Sequence, residues 1–174
     1  MADKDFVITF RAQGLDERVR AYRAAPTMTR ASINLALRRI GTLMVPILKA
    51  HTPVGASHRL RNKTYFRVGG GPFGQRLVVW QAAQSPGGYF YGAFVRGGTR
   101  PHMPPYRELI PWVRAVLGIG LPEGARVAWL IARKIARVGT RPNRYHERAL
   151  HAAMPGIQAI VNETGATIAA RLSR

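Results

Sequence analysis

Five histidines, His51, His58, His102, His146 and His151, are the side chains best suited to acid–base or metal chemistry. A metal site needs ligands at short recurring spacings, such as two histidines four residues apart on one helix face with a carboxylate nearby. None of the five makes such a pair, and no carboxylate stands at ligand spacing. Cysteine is absent, which removes thiolate ligands, thiol nucleophiles and disulfides together. Acid–base work by paired carboxylates needs acids that lie close together, and the chain has only eight. Asp3, Asp5, Asp16 and Glu17 are surface positions near the N-terminus, while Glu108, Glu123, Glu147 and Glu163 stand alone. The glycine-rich "GGGPFGQR" lacks the Lys-Ser/Thr ending of a phosphate-cradling loop and leads into a strand, so it reads as a hairpin tip. We therefore expect no catalytic centre, metal or cofactor. A hydrolase built on a His–Glu pair is a third reading, to which no spacing points.

Charge is the strongest feature. Lys and Arg number 27 against 8 acids, a formal net charge of +19, and nearly all the cations are Arg. Such an excess repels itself and implies a polyanion or an acidic protein partner, unless it reflects only a compositional or thermal-adaptation bias. With 47% hydrophobic and 20% charged residues the chain is globular. A length of 174 residues suits one domain over residues 1–174. The longest apolar run, residues 127–132, is far short of a membrane span, and "MADKDF" carries no secretory signal.

The elements that must position these residues follow from periodicity. Residues 1–26 read as a strand over 4–11, "KDFVITFR", then a turn at Gly14 and a short helix ending before Pro26. A long helix covers 27–50, capped by Thr27 or Thr29, with Ile33, Leu37, Ile40, Met44 and Ile47 as its stripe and Pro46 expected to kink or shorten it. Residues 59–97 read as a three-stranded antiparallel meander (59–68, 76–83 and 89–96) packed against that helix. Residues 104–172 are helical. "PPYRELIPWVRAVLG" is interrupted near Pro111. A second helix carries Val127, Leu130, Ile131, Ile135 and Val138 as its buried stripe, with Arg126, Arg133 and Arg137 opposite. The last helix has Leu150, Met154, Ile157, Ile160 or Val161, Thr164, Ile168 and Leu172 in register and a bend at Pro155-Gly156. The fold class is α+β: a small antiparallel meander on a long helix, followed by a helical C-terminal half.

Two features remain. In the first strand Leu60, Asn62, Thr64, Phe66 and Val68 share one face, and Arg59, Arg61, Lys63, Tyr65 and Arg67 the other. Like charges at alternate positions of one strand are destabilising unless neutralised. That cationic face therefore contacts nucleic acid or an acidic neighbouring subunit, or is a solvated face with long Arg stems. Tyr65 among the cations has the chemistry to stack on a base. The tetrapeptide Gly-Thr-Arg-Pro occurs twice, with Thr99 and Arg100 in the first copy and Thr140 and Arg141 in the second. The proline keeps the preceding residue out of the helical region, so each copy reads as a turn that delivers the chain into a new helix. The flanks differ too much for a duplicated domain.

The order "HTPV…RLR", a hairpin, "YGAFVRGGTRP", "MPPYRELIPWVRAVLG", "AWLIARKIARVGTRPNRYHERAL" and a long final helix resembles the tail-completion, or head–tail joining, proteins of long-tailed bacteriophages, the minor tail protein Z-like group. The resemblance covers roughly residues 30–172. Where that family has Asp-Thr-Gly this chain has "GASH", where it has Glu before the first Gly-Thr this chain has Arg96, and the aromatic after the second Gly-Thr is Tyr145. The change to Arg96 either removes an inter-subunit ion pair or reverses its polarity to suit an acidic partner. The resemblance implies no catalysis. It implies a virion protein, assembled in the host cytoplasm, that forms a hexameric or dodecameric ring at the neck. Its partners would be the connector or stopper and the tail terminator or tail tube, around the channel through which DNA passes, with no membrane. Candidate contacts are Arg59, Arg61, Lys63, Arg67, Arg96, Thr99, Arg100, Arg133, Arg137, Thr140, Arg141 and Tyr145, and an acidic protein is favoured over DNA for the cationic strand. The alternative is a basic architectural protein that binds nucleic acid.

Overall fold

The computed structural model describes residues 27–71, 74–84, 88 and 90–172. The strand and short helix expected over residues 1–26 lie outside the described residues. The elements in order are α1 (Thr27–His51), α2 (Arg59–Asn62), β1 (Thr64–Gly71), β2 (Gly74–Gln81), α3 (Gly92–Gly97), α4 (Tyr106–Trp112), a π-helical turn (Val113–Leu117), α5 (Glu123–Val138) and α6 (Tyr145–Leu172). The architecture is α+β, with a two-stranded antiparallel sheet, a long helix and a helical C-terminal half. The described residues group into two compact units: those within 27–50, 64–80 and 147–172 form one, and those within 51–63 and 81–146 form the other.

In the first unit α1 supplies Ile40, Met44 and Leu48 to the core, the last two fully buried. Of the expected stripe, Ile40 and Met44 are core, while Ile33, Leu37 and Ile47 are half-buried. Gly41 permits the inner face of β1 to come close, because a Cβ there would run into the Phe66 ring. On α6, Gly156 plays the same part for Leu43, whose Cδ2 would lie 2.7 Å from an added Cβ. Arg39 donates to Glu163 at 2.7 Å, an exposed pair that adds little stability. Neither proline ends its helix: Pro46 lies inside α1 and Pro155 inside α6. Pro46 costs the carbonyl of Thr42 its usual donor, but burial of Met44 and Leu48 on either side holds the last turn in place. By length and composition Thr29–His51 would also span a membrane. Arg38 and Arg39 near its middle are expensive in lipid, and the contacts of Gly41, Leu43 and Arg39 show it packed within this unit.

The meander is smaller than expected. Residues 59–62 are helical, entered through His58 in the left-handed region (φ 51°), and β1 starts only at Thr64. The third strand, 89–96, reduces to an isolated bridge between Gln84 and Phe90, followed by α3. Packing decided both cases. Leu60 is 5% exposed, its carbonyl accepts from the Gln81 side chain, and its Cδ1 would sit 3.1 Å from a Cβ at Gly92. A helical turn at each of these segments brings Leu60 and Gly92 together, which outweighs their strand-like alternation.

In the second unit α4 and the π turn pack on α5. The expected interruption at Pro111 takes the form of the π turn that begins two residues later, a common way to absorb a missing donor. The buried edge of α5 is Gly124, Ala128 and Ala132, not the predicted Val127, Leu130, Ile131, Ile135 and Val138. Small residues win because the chain comes too close for large ones: a Cβ at Gly124 would lie 2.8 Å from the carbonyl oxygen of Ile119, above the fully buried Val113. Leu130 and Val138 consequently face solvent, 51% and 66% exposed. On α6 the expected stripe holds at Ile168, which is buried, but nearer the start of the helix Ala149 and Ala153 are buried while Met154 is exposed.

Candidate functional site: the paired Gly-Thr turns and the outer face of α5

The two Gly-Thr-Arg-Pro copies are partners in space. Thr99 N–H donates to the Thr140 carbonyl and Thr140 N–H to the Thr99 carbonyl, both at 3.2 Å, forming an antiparallel bridge. Their hydroxyls lie 3.0 Å apart, and Thr99 Oγ1 also accepts from Thr140 N–H at 3.2 Å. Each glycine has positive φ, 72° at Gly98 and 71° at Gly139. Each also lies against the other copy's backbone: a Cβ on Gly98 would meet the Thr140 carbonyl oxygen, and one on Gly139 the Thr99 carbonyl oxygen. A residue with both constraints has to be glycine. Asn143 N–H, just past the second copy, donates to the Val95 carbonyl at 3.1 Å. The turns read from sequence are thus two halves of one clasp that ties the end of α3 to the α5–α6 connection.

Beside the clasp, Tyr145 is fully buried. Its hydroxyl donates to Gln81 Oε1 at 2.7 Å, and Gln81 Nε2 donates to Thr52 Oγ1 at 3.0 Å and to the Leu60 carbonyl at 3.1 Å. Both ends of the Gln81 amide are therefore used, and burial pushes the Tyr145 phenol above its ordinary range. His146 lies against the Tyr145 ring at 4.0 Å. Burial, helped by the Arg96 charge, lowers its pKa to about 3, so the imidazole is neutral at physiological pH. Tyr145 therefore anchors the interior and is not a partner contact as the sequence suggested. A buried aromatic that carries a hydroxyl needs an internal acceptor, and the polar Gln81 at the end of the apolar "LVVW" run was the available signal. Sequence reasoning missed Gln81 and Thr52.

The cationic strand face does not form. Arg59 and Arg61 fall on α2 and Lys63 caps it, leaving Arg67 as the cation of that series on β1. Arg59, Lys63, Arg67, Arg96, Arg100, Arg133, Arg137 and Arg141 are exposed, Arg61 is half-buried, and Thr99 and Thr140 are taken up by the clasp. Among the described residues no group of three or more His, Asp or Glu is placed to hold a metal. His102 Nδ1 instead lies 2.9 Å from the Arg100 carbonyl.

What the fold does bring together is the outer face of α5. Leu130 and Val138 lie beside Arg133, Lys134 and Arg137 on this helix. On the adjoining turn the Arg133 guanidinium lies 4.8 Å from the centroid of Trp129, itself 41% exposed. Exposed Leu130 and Val138 thus alternate with Lys134 and Arg137 on one side of the helix, a face chemically suited to a surface that carries carboxylates and apolar groups. In comparisons with known protein families, curated proteins and solved structures, nothing matches this chain.

Proposed function

We propose that the protein is a structural component of a long-tailed phage neck: a homo-oligomeric ring, hexamer or dodecamer, that joins the DNA-filled head to the tail. The order of motifs over residues 30–172 supports this reading, and the outer face of α5 carries it. Leu130 and Val138 are 51% and 66% exposed on the same side of one helix, apolar surface available to a partner. Arg133, Lys134 and Arg137 share that side. A second copy would bring the same cations to it, so its occupant is an acidic, partly apolar surface on an adjacent ring, the connector or the tail terminator. The net charge of +19 makes that encounter fast and salt-sensitive.

The test is joining of filled heads to tails in extracts that lack the protein, complemented with purified variants. Val138→Glu and Leu130→Glu place carboxylates where the partner supplies its own. They are expected to abolish joining while the variants keep the wild-type oligomeric state and melting temperature. Wild-type joining by both variants would refute the assignment of this face.

A further inference from the structure

The outward face of the β1–β2 hairpin carries Arg67 from the candidate contacts of the neck reading, together with two aromatic rings that this reading does not use. Because strand residues alternate in direction, Thr64, Phe66, Leu77 and Val79 lie on the face toward α1, as the Phe66–Gly41 contact shows. Tyr65, Arg67, Arg76, Val78 and Trp80 lie on the other, where Val78 is buried and the residues around it reach solvent. Tyr65 is 47% exposed, Arg67 and Arg76 are exposed, and Trp80 is half-buried. The Tyr65 and Trp80 rings are 6.0 Å apart and inclined at 41°, a tilted aromatic pair. The Arg67 guanidinium lies 5.9 Å from the Trp80 centroid, at the outer range of a cation–π contact. The hairpin contains no carboxylate from residue 64 to 81, so nothing within it neutralises the two arginines.

We propose that this face, Tyr65, Arg67, Arg76 and Trp80, binds single-stranded nucleic acid. Adjacent aromatic rings with flanking cations form a stacking platform: unpaired bases lie on the rings and phosphates meet the guanidinium groups. Arg67 suits both tasks, since its planar head stacks as well as it pairs. The protein's overall charge of +19 draws any polyanion to it. The aromatic pair adds a preference for unpaired bases, because the bases of a duplex already stack on one another and offer no free faces. A second copy is disfavoured by the same two arginines. The inference does not rest on the ring reading, since a single subunit suffices for it.

The experiment uses the full chain with Trp112→Phe and Trp129→Phe, leaving Trp80 as the sole tryptophan, titrated with an oligo-dT of about 16 nucleotides, a duplex of equal length, and poly-glutamate. Quenching of Trp80 emission by the oligo-dT is expected, with weaker binding of the duplex and of poly-glutamate. Tyr65→Ala, at an exposed position, is expected to weaken oligo-dT binding about tenfold, and Tyr65→Phe to retain it, since the ring and not the hydroxyl stacks. Arg67→Ala and Arg76→Ala should each flatten the plot of log affinity against log salt by about 0.7. Absence of Trp80 quenching at saturation, equal affinity for duplex or poly-glutamate, or full affinity in Tyr65→Ala would each overturn the proposal.

Discussion

Thr99 and Thr140, 41 residues apart, exchange both backbone hydrogen bonds and bring their hydroxyls to 3.0 Å. The pairing turns a repeated tetrapeptide into a long-range closure, in which each glycine makes room for the other copy's carbonyl. Gly139→Ala introduces a Cβ against the Thr99 carbonyl oxygen and forces alanine into φ 71°, ψ −160°. A non-glycine residue in that region costs on the order of 1–3 kcal/mol before the clash is counted. The expected loss of stability, read from the denaturant midpoint, exceeds that of Gly97→Ala, where an added Cβ meets nothing within 4 Å. Equal midpoints for the two variants would show that the clasp is not under constraint.

The Tyr145–Gln81 hydrogen bond is buried at both ends. Tyr145→Phe leaves the buried Gln81 Oε1 without this donor, and Gln81→Leu leaves the Tyr145 hydroxyl without its acceptor; each change is expected to cost about 1–3 kcal/mol. Because the two residues share one network, the double variant should cost less than the sum of the singles. Strict additivity in a double-mutant cycle would contradict the network.

His146 gives stability a defined pH dependence. Its folded pKa, about 3, lies below the ordinary 6.5, so between those values the unfolded chain binds the proton and the folded chain does not. Stability from this residue is complete above about pH 6.5 and falls as the pH drops, with a slope of up to about 1.4 kcal/mol per pH unit, levelling off near pH 3. Comparing His146→Phe with wild type from pH 7 to 4 isolates that slope from the carboxylates. Parallel profiles would mean that His146 ionises freely in the folded protein.

Gly41 tests how α1 meets the hairpin. Gly to Ala within a helix ordinarily stabilises by about 0.5–1 kcal/mol. Here the Cβ would strike three atoms of the Phe66 ring, so Gly41→Ala is expected to destabilise, and adding Phe66→Leu to restore part of the loss. A higher melting temperature for Gly41→Ala alone would show that the strand does not lie against that helix face.

These residues also mark how far the sequence could be read. The long helix α1, the hairpin strands and the C-terminal helices were legible because Ile40 and Met44, and the apolar β2 run, follow periods that one chain segment reveals by itself. Residues 59–62 and 92–97 were not, because their strand-like alternation is local whereas Leu60 meeting Gly92 is a long-range contact. The buried stripe of α5 was misplaced for a related reason. Periodicity weights large apolar residues, but close approach is made by Gly124, Ala128 and Ala132, which leaves Leu130 and Val138 outside. Of the candidate site, the arginines of α5 were found, while Leu130 and Val138 beside them were taken for core. The two Gly-Thr turns were recognised individually, but nothing in either copy announces that it binds the other.

The central claim, assembly into a neck ring, is tested most directly by the mass and shape of the purified 174-residue chain, measured by light scattering and by cryo-EM class averages. The expected result is a closed ring whose mass is that of a hexamer or dodecamer of the 19.2 kDa subunit. A monomer at every concentration tested, with no ring in the images, would contradict the account.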